Sequence, residues 1–166
     1  FGNNGEVNFS ITVSNKLIVT AALKKESFKP SENVSIQFSV GDEFGRHYEN
    51  YNDVLVTIFI GDTRVDYTIE RGGFIGFQQS GNTGGGGKAP DTILFAMPER
   101  TPSGSTTINI SATKGNNYGE KLFDVNIERV IRGVQIKVDK DTVEKGDSVG
   151  INLYTYDQTN DSFIIN

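Results

Sequence analysis

The stretch "FKPSENVSIQFSVGD", residues 28–42, decides the fold, and "VEKGDSVGINLYTYD", residues 143–157, repeats its design 115 positions later. After the short turn at Lys29–Glu32, Val34, Ile36, Phe38 and Val40 alternate with Ser35, Gln37 and Ser39. Successive side chains of a strand point to opposite faces, so this period of two describes a half-buried strand with Gln37 on the solvent side. Burying the four apolar residues is worth about 1.5–3 kcal/mol each before chain entropy is charged. Setting Leu23 on Val138 carries Lys25 onto Lys140, Glu26 onto Asp141, Ser27 onto Thr142 and Phe28 onto Val143. The same displacement sets Glu32 on Asp147, Val34 on Val149, Ile36 on Ile151, Phe38 on Leu153 and Asp42 on Asp157. A match over strand, turn and strand in one register points to tandem modules of one fold.

Period two continues outward from this stretch. It runs through Val7–Val13, Leu17–Leu23, Val54–Ile60, Ile93–Met97, Ile108–Ala112 and Phe123–Ile127, with Leu55 and Phe59 making one of these strands apolar on both faces. Turn formers such as "VGDEFG", "GDTR", "ERTPSG" and "KGNNYG" separate the runs. No segment carries an apolar stripe at helical spacing, so the chain reads as all-β. Seven or eight strands between Leu17 and Glu128, with turns every ten residues or so, fit an immunoglobulin-like antiparallel β-sandwich; a closed barrel is the alternative. We expect residues 1–15 to be the last strand of a preceding module or a donor arm. Residues 16–129 would be one complete sandwich, and 133–166 the first two strands of a second, truncated one. The start at Phe1 and the strand-like end at Asn166 lead us to expect a piece of something longer.

The repeated unit resembles the macroglobulin domains of the alpha-2-macroglobulin family, and the immunoglobulin-like repeats of prokaryotic surface proteins. Lys25, Phe28, Pro30, Glu32, Val34 and Ile36 fit the turn pattern K-x-x-[FY]-x-P-G-[ED]-x-V-x-[IF], with Ser31 where Gly is usual. The second copy has Gly146 at that place but Lys145 for Pro. The stretch "ILFAMPERTPSGSTTINISA" is similar to the part of the family's domain that precedes its closing strand, and 122–138 is similar to the join between its second and third domains. The resemblance implies a sandwich module in series with others. The thioester "C-G-E-Q" and a bait region do not occur in this span, so it does not imply protease trapping.

Composition narrows the functions. A net charge of −5 disfavours nucleic acid as a partner, and no run approaches the roughly 18 apolar residues of a membrane helix. With no cysteine there is no disulfide framework, thiolate metal site or thiol nucleophile. The lone His47 has no histidine partner for a triad or a His-rich metal site. "GNTGGGGKAPDT" lacks the P-loop spacing and runs into a strand rather than a helix, so it reads as a hairpin tip.

Three sets of residues remain as candidate sites. Glu128, Asp139, Asp141 and Asp147 surround the start of the second module and offer oxygen ligands for calcium at a joint. Asn8, Asn33, Asn109 and Asn160 open N-x-[S/T] sequons, on outward strand parity or in a polar turn, compatible with glycosylation. Tyr48, Tyr51 and Tyr118 are candidates for a sugar-stacking platform. Together these readings lead us to expect a non-enzymatic structural or adhesive module of an extracellular or cell-surface repeat protein, such as a surface layer, filament or macroglobulin-like chain. No cofactor is expected apart from calcium. The partners would be other modules or copies of itself, with assembly by strand exchange, and glycans in second place. A carbohydrate- or ligand-binding module of an extracellular enzyme is the alternative.

Overall fold

A computed structural model describes residues 16–48, 51–72 and 90–163, so the expected strand or donor arm at 1–15 and the glycine-rich stretch at 81–89 lie outside the described residues. Twelve strands occur among the described residues, without a helix. The first sheet is formed by β1 (Ile18–Leu23), β3 (Asn33–Gly41), β6 (Thr68–Glu70) and β7 (Asp91–Ala96), in the order β1-β3-β7-β6. The second comprises β2 (Ser27–Phe28), β4 (Leu55–Ile60), β5 (Thr63–Arg64), β8 (Gly104–Lys114) and β9 (Asn117–Ile127), in the order β2-β9-β8-β4-β5. The third holds β10 (Gly133–Val138), β11 (Ile151–Tyr156) and β12 (Ser162–Phe163).

The first two sheets share a core, and the period-two pattern explains it. Val34, Ile36, Phe38 and Val40 are buried on one face of β3 while Gln37 is exposed on the other. Ile58 of β4, Ile110 of β8 and Val125 of β9 close over that face from the second sheet. No strand is common to the two sheets among the described residues. The described residues between 17 and 127 hold nine strands, where seven or eight were expected. The additional ones, such as β2 and β5, are two residues long, too short to show a period. β2 is also the one parallel pairing described: Ser27 and Phe28 align with Asn126 and Ile127 at the end of β9. At the other end of the core, Leu17 donates its amide to the Tyr118 carbonyl, and the Leu17 carbonyl lies where a Cβ on Gly119 would fall. That approach admits glycine alone.

The third sheet copies the geometry of β1 and β3 at a displacement of 115 residues. Ile18 faces Gly41 and Leu23 faces Ile36; Gly133 faces Tyr156 and Val138 faces Ile151. The Lys29 amide donates to Glu32 Oε2 at 2.8 Å, and the Glu144 amide to Asp147 Oδ2 at 3.3 Å. Lys25 pairs with Glu32 as Lys140 pairs with Asp147. The Lys25 ammonium and the Lys29 amide hold the Glu32 carboxyl below its ordinary value. Asp42 Oδ1 accepts the amides of Phe44 and Arg46, and Asp157 Oδ1 those of Thr159 and Asp161. Gly45 and Asn160, at corresponding places in these two turns, have φ of 78° and 67°.

One property is not copied. Val19, Ile36 and Phe38 are 8%, 0% and 1% exposed, whereas their counterparts Val134, Ile151 and Leu153 are 59%, 68% and 62% exposed. The same pattern of side chains therefore makes a core in one place and an open apolar face in the other.

Candidate functional site

A densely bonded polar cluster joins the first two sheets to the third. β9 ends at Ile127, and the link at 128–132 leads directly into β10. Gln158, in the turn after β11, is buried: its Oε1 accepts the Val130 amide at 2.9 Å. Its Nε2 donates to the Thr101 carbonyl at 3.2 Å and the Glu128 carbonyl at 3.4 Å. One side-chain amide thus satisfies three backbone groups drawn from the link and from the loop before β8. Such groups are costly to bury unpaired, so the contact is specific as well as close.

Arg129 adds a second tie. Its Nε donates to Ser103 Oγ at 3.3 Å and lies 3.7 Å from Asp157 Oδ2, while its guanidinium stands 5.0 Å from the centre of the Phe163 ring. A planar guanidinium can serve a hydroxyl, a carboxylate and a ring face together, which an ammonium does less well. Asp157 is 3% exposed. Hydrogen bonds from the Thr159 hydroxyl and the amides of Thr159 and Asp161, with the Arg129 charge, outweigh the effect of burial and hold its carboxyl below the ordinary value. Arg132 completes the joint with an ion pair to Glu99 at 3.2 Å and a hydrogen bond from its backbone amide to the Tyr156 carbonyl.

The carboxylates expected to hold calcium are placed apart. Glu128 accepts from Ser27 Oγ and faces Lys29 at 4.0 Å; Asp139 accepts the Gly150 amide; Asp147 is bound to the Glu144 amide and Lys140; and Asp141 is exposed. Each of the first three is engaged locally, and no group of three or more acidic, His or Cys side chains able to hold a metal ion occurs among the described residues. Close spacing in sequence does not converge here, because a strand and its turn spread neighbouring side chains over two faces.

The tyrosines are likewise separated by their surroundings. Tyr48 carries the Lys114 ammonium 4.3 Å from its ring centre, and the Tyr118 hydroxyl donates to Glu120. Tyr51 packs its ring on Phe38 with centroids 5.6 Å apart; burial and the hydrogen bond with buried Asp91 push its hydroxyl up. Asp91 Oδ1 also accepts the Gly72 amide at 2.8 Å, so this acid is occupied in pinning backbone. His47 is exposed in the turn before Tyr48. Of the sequons, Asn33 and Asn160 are exposed, Asn109 is half-buried with its amide directed at Glu120 Oε2, and Asn8 lies outside the described residues.

Gln158 and Arg129 are the residues that sequence reasoning missed. Gln158 stands opposite exposed Glu43 in the displaced alignment, and a polar residue in a polar turn carries no signal of burial. Comparison with protein-family models finds no match to this chain, and comparison with curated proteins finds none either.

Proposed function

We propose that this chain is a structural segment of a protein built from immunoglobulin-like sandwich modules in tandem, working at the cell surface or outside the cell. Its role is mechanical. One module, residues 16–129, is held at a set angle to the next, which begins at 133, by the Gln158 and Arg129 contacts. The observation that carries this reading is the coincidence of strand register, acidic turn bonds and left-handed turn positions at one displacement of 115 residues. Independent folds have no reason to agree in all three. The macroglobulin-type resemblance belongs to the same reading, since its pattern residues Lys25, Glu32, Lys140 and Asp147 are those that tie the two turns. No catalytic role is assigned to any described residue.

A segment that transmits force or sets spacing needs a stiff joint. Residual dipolar couplings measured separately on the two parts test this. We expect one alignment tensor to fit both parts of the native chain. Two tensors of different magnitude are expected once Gln158→Ala and Arg129→Ala are combined. Independent tumbling of the native chain would refute the mechanical reading.

A further inference from the structure

We propose that the open face of β10 and β11 docks an antiparallel β-sheet of the kind formed by β4, β8 and β9, and that a strand corresponding to β7 pairs with the side of β11 opposite β10. The inference rests on the module reading above and adds to it the identity of the missing partner. In β1 and β3 the pairs Val19–Val40, Ala21–Phe38 and Leu23–Ile36 point into the core, where the second sheet covers them. The displaced pairs are Val134–Thr155, Ile136–Leu153 and Val138–Ile151. Val134, Ile136, Val138, Ile151 and Leu153 are all exposed, while Gln135, Lys137 and Tyr154 occupy the opposite face. The open face presents aliphatic side chains, as does the face with which β4, β8 and β9 cover β3, where Ile58, Ile110 and Val125 are the corresponding residues.

The edge asks for a strand of the first sheet, as β7 is to β3. β3 is paired along one side with β1 and along the other with β7, from Asn33 to Phe38. β11 is paired with β10, but on its other side β12 reaches only Thr155 and Tyr156. Among the described residues no strand pairs with that side of 151–153, the place where β7 bonds to β3 in the first copy.

Area decides how the sheet must arrive. Five aliphatic side chains at this exposure present on the order of 400 Å² of apolar surface, against about 800 Å² for each partner of a standard interface. Two copies meeting through this face alone fall short of a stable dimer. A sheet tethered to β10 and β11 needs less area, because the tether raises its effective concentration.

The test is a chimera in which residues 1–156 are followed by residues 42–127 of the same sequence, joined where Asp42 and Asp157 form matching turns. We expect dye binding by the apolar face to be lost relative to the parent chain, and amide exchange at Ile151 and Leu153, whose amides face away from β10, to slow by about 100-fold or more. Exchange unchanged at both residues, with the β10–β11 register intact, overturns the docking proposal and leaves the module reading standing. Loss of that register in the parent chain itself overturns both. Should the chimera not fold, Ile136→Lys with Leu153→Lys in the parent decides: dye binding must disappear while the melting of residues 17–127 stays unchanged, and dye binding that persists refutes an open face. A concentration-dependent dimer of the parent that protects Ile151 and Leu153 overturns the tethered sheet in favour of a second copy.

Discussion

Ser31 and Gly146 occupy the same place in two turns, and both have left-handed backbone, with φ of 64° and 100°. The Ser31 amide is held by the Met97 carbonyl at 2.9 Å, so the turn keeps its form although its residue carries a Cβ. The strain of a side chain in this region is about 1 kcal/mol. Less the roughly 0.4–1 kcal/mol that glycine costs through the freedom of the unfolded chain, Ser31→Gly should raise stability by no more than about 0.5 kcal/mol. Denaturant titration of the two proteins, with the slope held in common, checks this.

Ile36 and Ile151 are the same residue type at matching positions, one fully buried and the other 68% exposed. Ile36→Ala should cost about 2–5 kcal/mol through lost burial and the cavity left behind, and Ile151→Ala no more than about 0.5 kcal/mol. Equal costs in urea unfolding would mean that the face of β10 and β11 is covered in solution.

Gly119 lies against the Leu17 carbonyl, too close for any Cβ. Since the obstacle is backbone, relief requires β1 and β9 to part. Gly119→Ala should cost roughly 2–4 kcal/mol, read as a lowered melting temperature, whereas Gly115→Ala at an open turn should cost about 1 kcal/mol from its positive φ alone.

Asp157 has a carboxyl held below its ordinary value of 3.8 by the Thr159 hydroxyl, the neighbouring amides and Arg129. A lowered acid stabilises the folded state fully above its unfolded value and loses that contribution as pH falls through the lower folded value. The stability advantage of the native chain over Asp157→Asn should thus be constant from pH 7 down to about 5 and shrink toward zero on acidification below 3.8. Thermal melts of both proteins across that range measure it. An advantage that grew on acidification would contradict the bonding at this turn.

Asn33 and Asn160 are exposed, whereas Asn109 sits half-buried in the central strand β8 with its amide turned to Glu120. Expressed through a eukaryotic secretory route, the chain should carry glycan at Asn33 and Asn160 and none at Asn109. Glycopeptide mass spectrometry reads each site separately.

The sequence by itself determined the all-β class, the position of the long strands and which of their residues face inward. Local sterics place alternate side chains on opposite faces, so Val34, Ile36, Phe38 and Val40 announce their burial and Gln37 its exposure. It also showed the two matching turns, because Glu32, Asp42, Asp147 and Asp157 bond to backbone within a few residues of themselves. What only the tertiary structure decided depends on residues far apart in the chain. The two-residue strands β2 and β5 exist through their partners. Glu128, Asp139 and Asp147 look with Asp141 like a cation site in one dimension, and these three find separate partners in three dimensions. Gln158 becomes the centre of a joint because it meets Thr101 and Glu128 across distances of 57 and 30 residues. Most of all, the same apolar alternation is a core at Ile36 and an open face at Ile151. Period two states which side of a strand avoids water, and only the presence of a second sheet determines whether it does.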